Sequence, residues 1–298
     1  MTTVIPHTGT MVQTASTVEG PVVSVVMSVY NGGQYLAATL DSLLAQTFSN
    51  FEAIILNDGS ADNTAAILED YARRDSRIRY VPLEQNRGLV YCLNAAVALA
   101  QGVYIARLDG DDICMPTRLE EQVAWLKANP EVDLVSSWVA FIDEAGKPSG
   151  HWELDRQTNT PAQIRKQMVK DNCIAHPAVM GKAEVFKTHP YHADQPKRED
   201  HDLWLRLLSE GYVIGKISKV LLLYRVHAAS VTRTDARQVN IFMKIFETKY
   251  VFLKNQLQQR RWGLLEWRVA IYMIADLVKA LLKAIKKSVR HVLSPKHS

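Results

Sequence analysis

The sequence predicts an α/β fold built on a mostly parallel sheet flanked by helices. Two observations carry that expectation. From residue 22 to residue 108, short β-branched or apolar runs alternate with helical periodicities, the pattern of strands joined by crossover helices rather than hairpins. Polar residues then gather at the ends of three of those runs, at Asn31, Asp58 and Asp109. Ligands of such sheets sit at the carboxyl ends of the strands, so three polar strand ends facing one crevice mark a candidate site. With 298 residues, 47% of them hydrophobic, the chain can bury one large core or two small ones.

Taken in order, residues 22–29 form the first strand, Tyr30-Asn31-Gly32-Gly33 a turn, and 34–46 a helix. Residues 51–56 form the second strand. The turn Asn57-Asp58-Gly59-Ser60 leads to a helix ending near Arg74, with Ser60 or Asp62 as its cap. A third strand at 78–81 and a helix at 88–100 precede the strand 103–108, which delivers Asp109. Pro116 opens a helix that Asn129-Pro130 stops, 133–142 is a further strand, and 144–148 is a turn. Thr160-Pro161-Ala162-Gln163 has the form of a capping box with proline at the first helical position. A second polar concentration follows: Asn172 to Pro177, then Lys197-Arg198-Glu199-Asp200-His201-Asp202 at the start of a helix through Leu208, which Gly211 ends. A strand at 221–226 carries Tyr224 and Arg225, with His227 at its end, and from about residue 237 the pattern is helical.

The expected organisation is a loosely attached polar tail at 1–20, a catalytic domain at 21–235 and a basic helical region at 236–298. The tail lacks the basic start and apolar run of a signal peptide. Three widely spaced cysteines, an odd count without paired metal spacing, argue against a disulfide framework and for a reducing, cytoplasmic setting. Residues 260–298 hold nine Lys and Arg against Glu266 and Asp276, a net +7 that leaves −3 on the remainder of a chain of net charge +4. Within that region Leu264, Trp267, Ile271, Ile274, Val278, Leu281, Ile285 and Val289 recur every three or four residues, with Asp276, Lys279, Lys283, Lys286 and Arg290 on the other side. Such a helix lies in a membrane interface, on the inner face of the plasma membrane, or packs on the domain or a second subunit. Nucleic acid is not expected as a partner, because no recognition motif or base-stacking aromatic spacing accompanies the charge.

The chemistry centres on Asp109-Gly110-Asp111-Asp112. On an extended segment, side chains two apart share a side, so Asp109 and Asp111 would converge on one cation while Asp112 faces away to support them. Oxygen ligands of this kind suit Mg2+ or Mn2+, which also bind substrate phosphates; a solvated acidic turn is the bland alternative. Ile113 and Cys114 exclude an EF-hand calcium loop. No G-x-G-x-x-G follows the first strand and no P-loop occurs, so a divalent cation at the aspartates is the expected phosphate anchor.

With these residues in hand, the chain resembles family 2 of the nucleotide-sugar-dependent glycosyltransferases, inverting enzymes of GT-A fold. The likeness runs from about residue 21 to 231: the opening strand with Tyr30 and Asn31, Asn57 to Asp62, Asn86-Arg87-Gly88 with Asn94, Ala106 to Asp112 followed by Pro116 to Leu119, Asn172 to Pro177, Glu199-Asp200 with Leu203 to Leu207, and Tyr224 to His227. Ser28 replaces a usual proline, and Asn57 a more usual Asp.

The resemblance implies a UDP- or dTDP-sugar donor, since Asp58 would accept from a pyrimidine ring nitrogen. Tyr30, Asn31, Arg87 and Arg225 would line the nucleotide cleft, Asp109 the ribose or the metal, and Asp111 the metal. His227 would be a further metal or diphosphate ligand, with an ordinary loop histidine as the other reading. Asp200 would be the base that takes the acceptor hydroxyl proton, with Glu199 orienting it; a plain N-cap with an acidic first turn is the structural alternative. His176 and Trp204 are assigned to the side of a saccharide or lipid-linked acceptor, although Trp204, like Trp138, also reads as core. The implied role is surface polysaccharide or glycolipid synthesis, with homo-oligomerisation left open. The competing classes are a non-catalytic nucleotide-sugar-binding scaffold and a sugar nucleotidyltransferase, the latter disfavoured because no glycine-rich basic loop follows the first strand.

Overall fold

The computed structural model describes residues 20–195, 197–227 and 240–293, with side chains as far as residue 286. The strands are β1 (Val23–Val29), β2 (Phe51–Asn57), β3 (Ile78–Pro82), β4 (Tyr104–Arg107), β5 (Ile113–Cys114), β6 (Leu134–Ile142), β7 (Pro148–His151), β8 (Met180–Lys182) and β9 (Ile214–Arg225). They form one sheet in the order β3-β2-β1-β4-β8-β6-β9-β5, with β7 on β6. Between them run α1 (Leu36–Leu44), α2 (Thr64–Arg74), α3 (Leu89–Leu99), α4 (Arg118–Ala128), α5 (Glu153–Gln157), α6 (Pro161–Met168), α7 (Ala183–Thr188) and α8 (Glu199–Ser209). After β9 come α9 (Ile241–Gln258) and α10 (Leu264–Leu293).

Pairing of β1 with β2 and β4, of β2 with β3, and of β6 with β9 is parallel, as the strand and helix alternation predicts. The exception that matters is β8, which runs antiparallel between β4 and β6. Three residues, Met-Gly-Lys, carry no alternation by which a sequence reading could find it. Gly181 fits closely there: a Cβ would stand 3.0 Å from the Asp133 carbonyl and the Phe186 ring.

The period of two along β1 divides the core. Val23, Val25, Met27 and Val29 pack with α1, α2 and α4, whereas Val26 faces the other layer with α3, α6, α8 and α9. The sheet is thus covered on both faces, so its central strands are apolar nearly throughout. The expected capping box is present: Thr160 Oγ1 accepts from Gln163 N, and the Gln163 side chain accepts from Thr160 N. Buried Arg118 donates to the Arg107 carbonyl at 2.7 Å and to Gln122, whose amide reaches the Ala178 carbonyl at 2.8 Å. These bonds fasten α4 under the end of β4.

The C-terminal region is two helices, broken at Arg260, whose φ is +56°, and Gly263. A buried ion pair, Lys249 Nζ to Asp276 Oδ2 at 2.5 Å, joins α9 to α10. Asp276 therefore faces the protein, not solvent, and the apolar stripe of α10 faces outward. The helix does pack on the domain, through Leu265, Val269 and Ala280, and not through the expected stripe. The expected tail at 1–19, helical residues 237–239, and the side chains of Val289 and Arg290 lie outside the described residues.

Candidate active site

The acidic cluster sits where β4 ends. One ligand atom each from Asp109, Asp111 and Asp112 lies within 4.8 Å of the others. This corrects the expectation that Asp112 faces away: the chain leaves the extended conformation after Arg107 and turns back through Gly110 and Asp111, so alternation no longer sorts the side chains. Asp112 is buried, its Oδ1 accepts from Arg225 N at 2.9 Å, and its Oδ2 has no protein partner. Asp109 is ion-paired with Arg107. Asp111 Oδ2 lies 2.9 Å from His227 Nε2. Burial, which outweighs Arg107, raises the Asp109 pKa; burial followed by repulsion from Asp109 and Asp111 pushes Asp112 well above the usual carboxylate range.

Arg225 stands differently from its expected role on the nucleotide. Its guanidinium is buried, with Nε donating to the Asp111 carbonyl at 2.8 Å and Nη1 to the Asp143 carbonyl at 3.0 Å, and it packs over the Tyr35 ring at 4.7 Å. It is a clamp between the Asp111 turn and the loop after β6.

At the ends of β1 and β2, Asn31 adopts φ +50°, a left-handed conformation that asparagine tolerates. Its Oδ1 accepts from Ala61 N at 2.9 Å and its N donates to Ser60 Oγ at 2.9 Å, which locks the two loops together. Tyr30 beside it is 55% exposed. Asp58 is buried, and its two oxygens accept from Arg87 N at 2.6 Å and Gly88 N at 3.0 Å. It therefore anchors the loop before α3, and a base contact has to use lone pairs left beside those bonds. Gly59, at φ +68°, cannot take a side chain, because a Cβ would stand 2.6 Å from the Gln85 backbone.

The second acidic pair opens α8. Asp200 Oδ2 accepts from Asn172 Nδ2 at 2.6 Å and Oδ1 from His201 N at 2.7 Å. Burial, only partly offset by Arg198, raises its pKa. Glu199 is also buried, its Oε2 has no protein partner, and burial and then Asp200 push its pKa up to about 7. His176 shares Nε2 with the Tyr191 hydroxyl at 2.9 Å and is held neutral by burial and by Arg107.

A cavity of about 1550 Å³ brings these groups together, with Arg107, Asp109, Asn172, His176, Glu199 and Asp200 on its wall. Arg87, Gly88 and Tyr91 line it too, the Arg87 guanidinium 4.5 Å from the Tyr91 ring centre. Trp204 does not: it is fully buried and meets His176 edge-on at 6.0 Å from the core side, so its assignment to the acceptor is corrected. The sequence reading gives neither Arg107 nor Asn172 a role. The signal for Arg107 was a charged residue inside an apolar strand, two positions before an aspartate.

A mostly parallel sheet with an acidic metal-type cluster after its fourth strand, and a carboxylate pair across the same cavity, defines the GT-A class of α/β transferase. A family model described as glycosyl transferase family 2 matches residues 24–189, more than half of the chain, and the chain belongs to that family of glycosyltransferases. An uncharacterized glycosyltransferase of Methanocaldococcus jannaschii is 36% identical over 69% of this chain and 71% of its own. The O-antigen biosynthesis glycosyltransferase WbnJ of Escherichia coli is 34% identical over 71% of this chain and 82% of its own. Among solved structures, S. aureus TarS 1–349 in complex with UDP-GlcNAc superposes with a TM-score of 0.66 at 18% identity, covering 86% of this chain and 71% of that one. The mannosyltransferase PcManGT of Pyrobaculum calidifontis, in complex with GDP-Man and Mn2+, gives 0.59 at 17% identity, covering 94% and 82%. At these identities the structural likeness speaks for the fold alone.

Proposed function

We propose that the chain transfers a hexosyl group, with inversion, from a nucleoside diphosphate sugar to an acceptor hydroxyl during surface polysaccharide or glycolipid synthesis. The observation that carries this reading is that Asp109 and Asp200 line one cavity. Its volume exceeds the roughly 300–1,000 Å³ of a single small-molecule site, which leaves room for donor and acceptor together. Relatives named for O-antigen and amylovoran biosynthesis, at 34% and 29% identity, support the pathway class. A UDP- or dTDP-sugar is the favoured donor, with the remaining lone pairs of Asp58 available to a pyrimidine N–H.

The acidic cluster fits a divalent cation, Mn2+ or Mg2+. Three carboxylates crowd together, one of them with a buried oxygen that no protein group satisfies. Asp109, Asp111 and Asp112 would hold the ion, with His227 beside Asp111. When bound, it supplies positive charge to the leaving diphosphate. Asp200 accepts the acceptor hydroxyl proton as the acceptor oxygen bonds to the anomeric carbon. The bond to the diphosphate breaks with its electron pair on the leaving group. Asn172 and the His201 amide fix the Asp200 carboxylate and leave it lone pairs for that proton, and burial strengthens it as a base. Arg107 orients Asp109.

A thermal-shift screen of nucleotide sugars with and without Mn2+ or Mg2+ tests the reading. A nucleoside diphosphate sugar is expected to raise the unfolding midpoint in the presence of the cation. Equal shifts with and without the cation, or no shift with any donor, would overturn it.

A further inference from the structure

The outward face of α10 is unusual for a surface helix. From Leu264 to Ile285 apolar side chains recur at spacings of three and four, among them Trp267, Ile271, Ile274 and Val278, and those along the stripe are 50 to 76% exposed. A stripe of that width is ordinarily covered. Its charge is equally one-sided. Both acidic residues of the described part of α10 turn inward: Glu266 accepts from Ser209 Oγ and Gly263 N, and Asp276 pairs with buried Lys249. Arg268, Lys279, Lys283 and Lys286 are all exposed. At 3.6 residues per turn, Arg268, Lys279 and Lys286 fall along one edge of the stripe. At its start Trp262 and Trp267 pack edge to face at 5.5 Å, both with exposed indoles.

We propose that this face docks in the plane of an anionic lipid bilayer surface. Apolar residues along the helix centre would enter the headgroup boundary, the flanking cations would meet lipid phosphates, and the two tryptophans would sit at headgroup level. A second copy fits less well: an antiparallel two-fold pairing sets the cationic edge of one helix against that of the other, and a parallel pairing sets it against an edge with no exposed acid of the described helix to meet it. No helix among the described residues is long and apolar enough to cross a membrane, so the contact is interfacial. Docking also orients the enzyme. Asn240 Nδ2 donates to the Ala280 carbonyl at 3.0 Å, which sets the basic end of α10 beside the start of α9. There Ile241 and Lys244 line the active-site cavity, so the cavity would lie close to the headgroups.

The test is co-sedimentation of the full chain with vesicles of phosphatidylcholine alone and of equal phosphatidylcholine and phosphatidylglycerol. Binding is expected to the mixed vesicles and to weaken with salt. Arg268→Gln with Lys286→Gln should lower it by about tenfold or more, since each basic residue at an anionic surface contributes on the order of fivefold. Ile271→Glu with Ile274→Glu should abolish it. Both pairs are exposed, so an unchanged thermal midpoint is expected and separates lost docking from misfolding. Equal binding to both vesicles, or retention by both variants, overturns the proposal. So does a dimer in sedimentation velocity that Ile271→Glu with Ile274→Glu dissociates, because the face would then be covered by a second copy. The readout needs no transfer activity, so its failure is independent of the proposed reaction.

Discussion

Asp111 and His227, 116 residues apart, meet with Oδ2 and Nε2 2.9 Å from each other. The bond joins the turn after β4 to the end of β9, so the acidic cluster is closed by the last strand of the sheet. The same imidazole lies 5.0 Å from the Tyr35 ring, which in turn carries the Arg225 guanidinium. Three segments are thereby held at one point, each by a different kind of contact.

Asp111→Ala is expected to remove the cation-dependent part of nucleotide-sugar binding, read by calorimetric titration with and without Mn2+. His227→Ala should weaken Mn2+ binding by about 10- to 100-fold, the usual effect of losing a supporting partner of a metal ligand. An affinity for the nucleotide sugar that Asp111→Ala leaves unchanged would refute the assignment.

Glu199 makes a pH-dependent prediction whose sign follows from its environment. Asp200, Arg107 and Asp109 act on its charge, and burial dominates, giving a folded pKa of about 7 against 4.5 ordinarily. Below pH 4.5 both folded and unfolded chains hold the proton, so Glu199 has no effect there. Between that pH and about 7 the unfolded chain releases it first, and stability falls as pH rises. Glu199→Gln should therefore stabilise the protein by roughly 3 kcal/mol at pH 8, shared with its neighbour Asp200, and by nothing near pH 4. Thermal midpoints of the two proteins across that range check it, and a constant difference would contradict it.

What the sequence made legible was what local pattern controls. The parallel half, β1 to β4 with their helices, follows from apolar period and turn residues, and the polar strand ends at Asn31, Asp58 and Asp109 follow from the same pattern. What it hid depends on contacts between distant segments. The antiparallel β8 is too short to show a period. Arg225 reads as an available cation until its carbonyl partners from Asp111 and Asp143 are known. Asp58 reads as an open carboxylate until the Arg87 and Gly88 amides close on it. Trp204 follows helical periodicity into the core, where no acceptor reaches it.

The pair Lys216 and Asp155 tests the second half of the fold. Both are fully buried, 2.6 Å apart, and the ammonium also donates to Thr158 Oγ1 at 3.1 Å and the Cys173 carbonyl at 2.9 Å. Asp155 in turn accepts from Val139 N at 2.8 Å, so the pair ties β6 and β9 to the segments around α5 and α6. Lys216→Met leaves a buried carboxylate uncompensated and should lower stability by about 3–5 kcal/mol, whereas Lys216→Met with Asp155→Leu should recover much of that loss. Urea unfolding midpoints decide between this and an additive cost.

Asp200 carries the sharpest kinetic expectation. Its carboxylate is fixed at one oxygen by Asn172 and at the other by the His201 amide, so Asp200→Asn should keep the shape while removing the proton acceptor. The turnover number is expected to fall by about 10²-fold or more, with nucleotide-sugar affinity retained, because a general base acts on the chemical step and not on donor binding. Asn172→Ala should act more mildly and in the same direction, since it loosens the base without deleting it. The two changes together should be no worse than Asp200→Asn alone, because a positioning residue has nothing left to position. Turnover within tenfold of the parent for Asp200→Asn would move the base elsewhere in the cavity, and Glu199, buried beside it with a free oxygen, is the next group to replace.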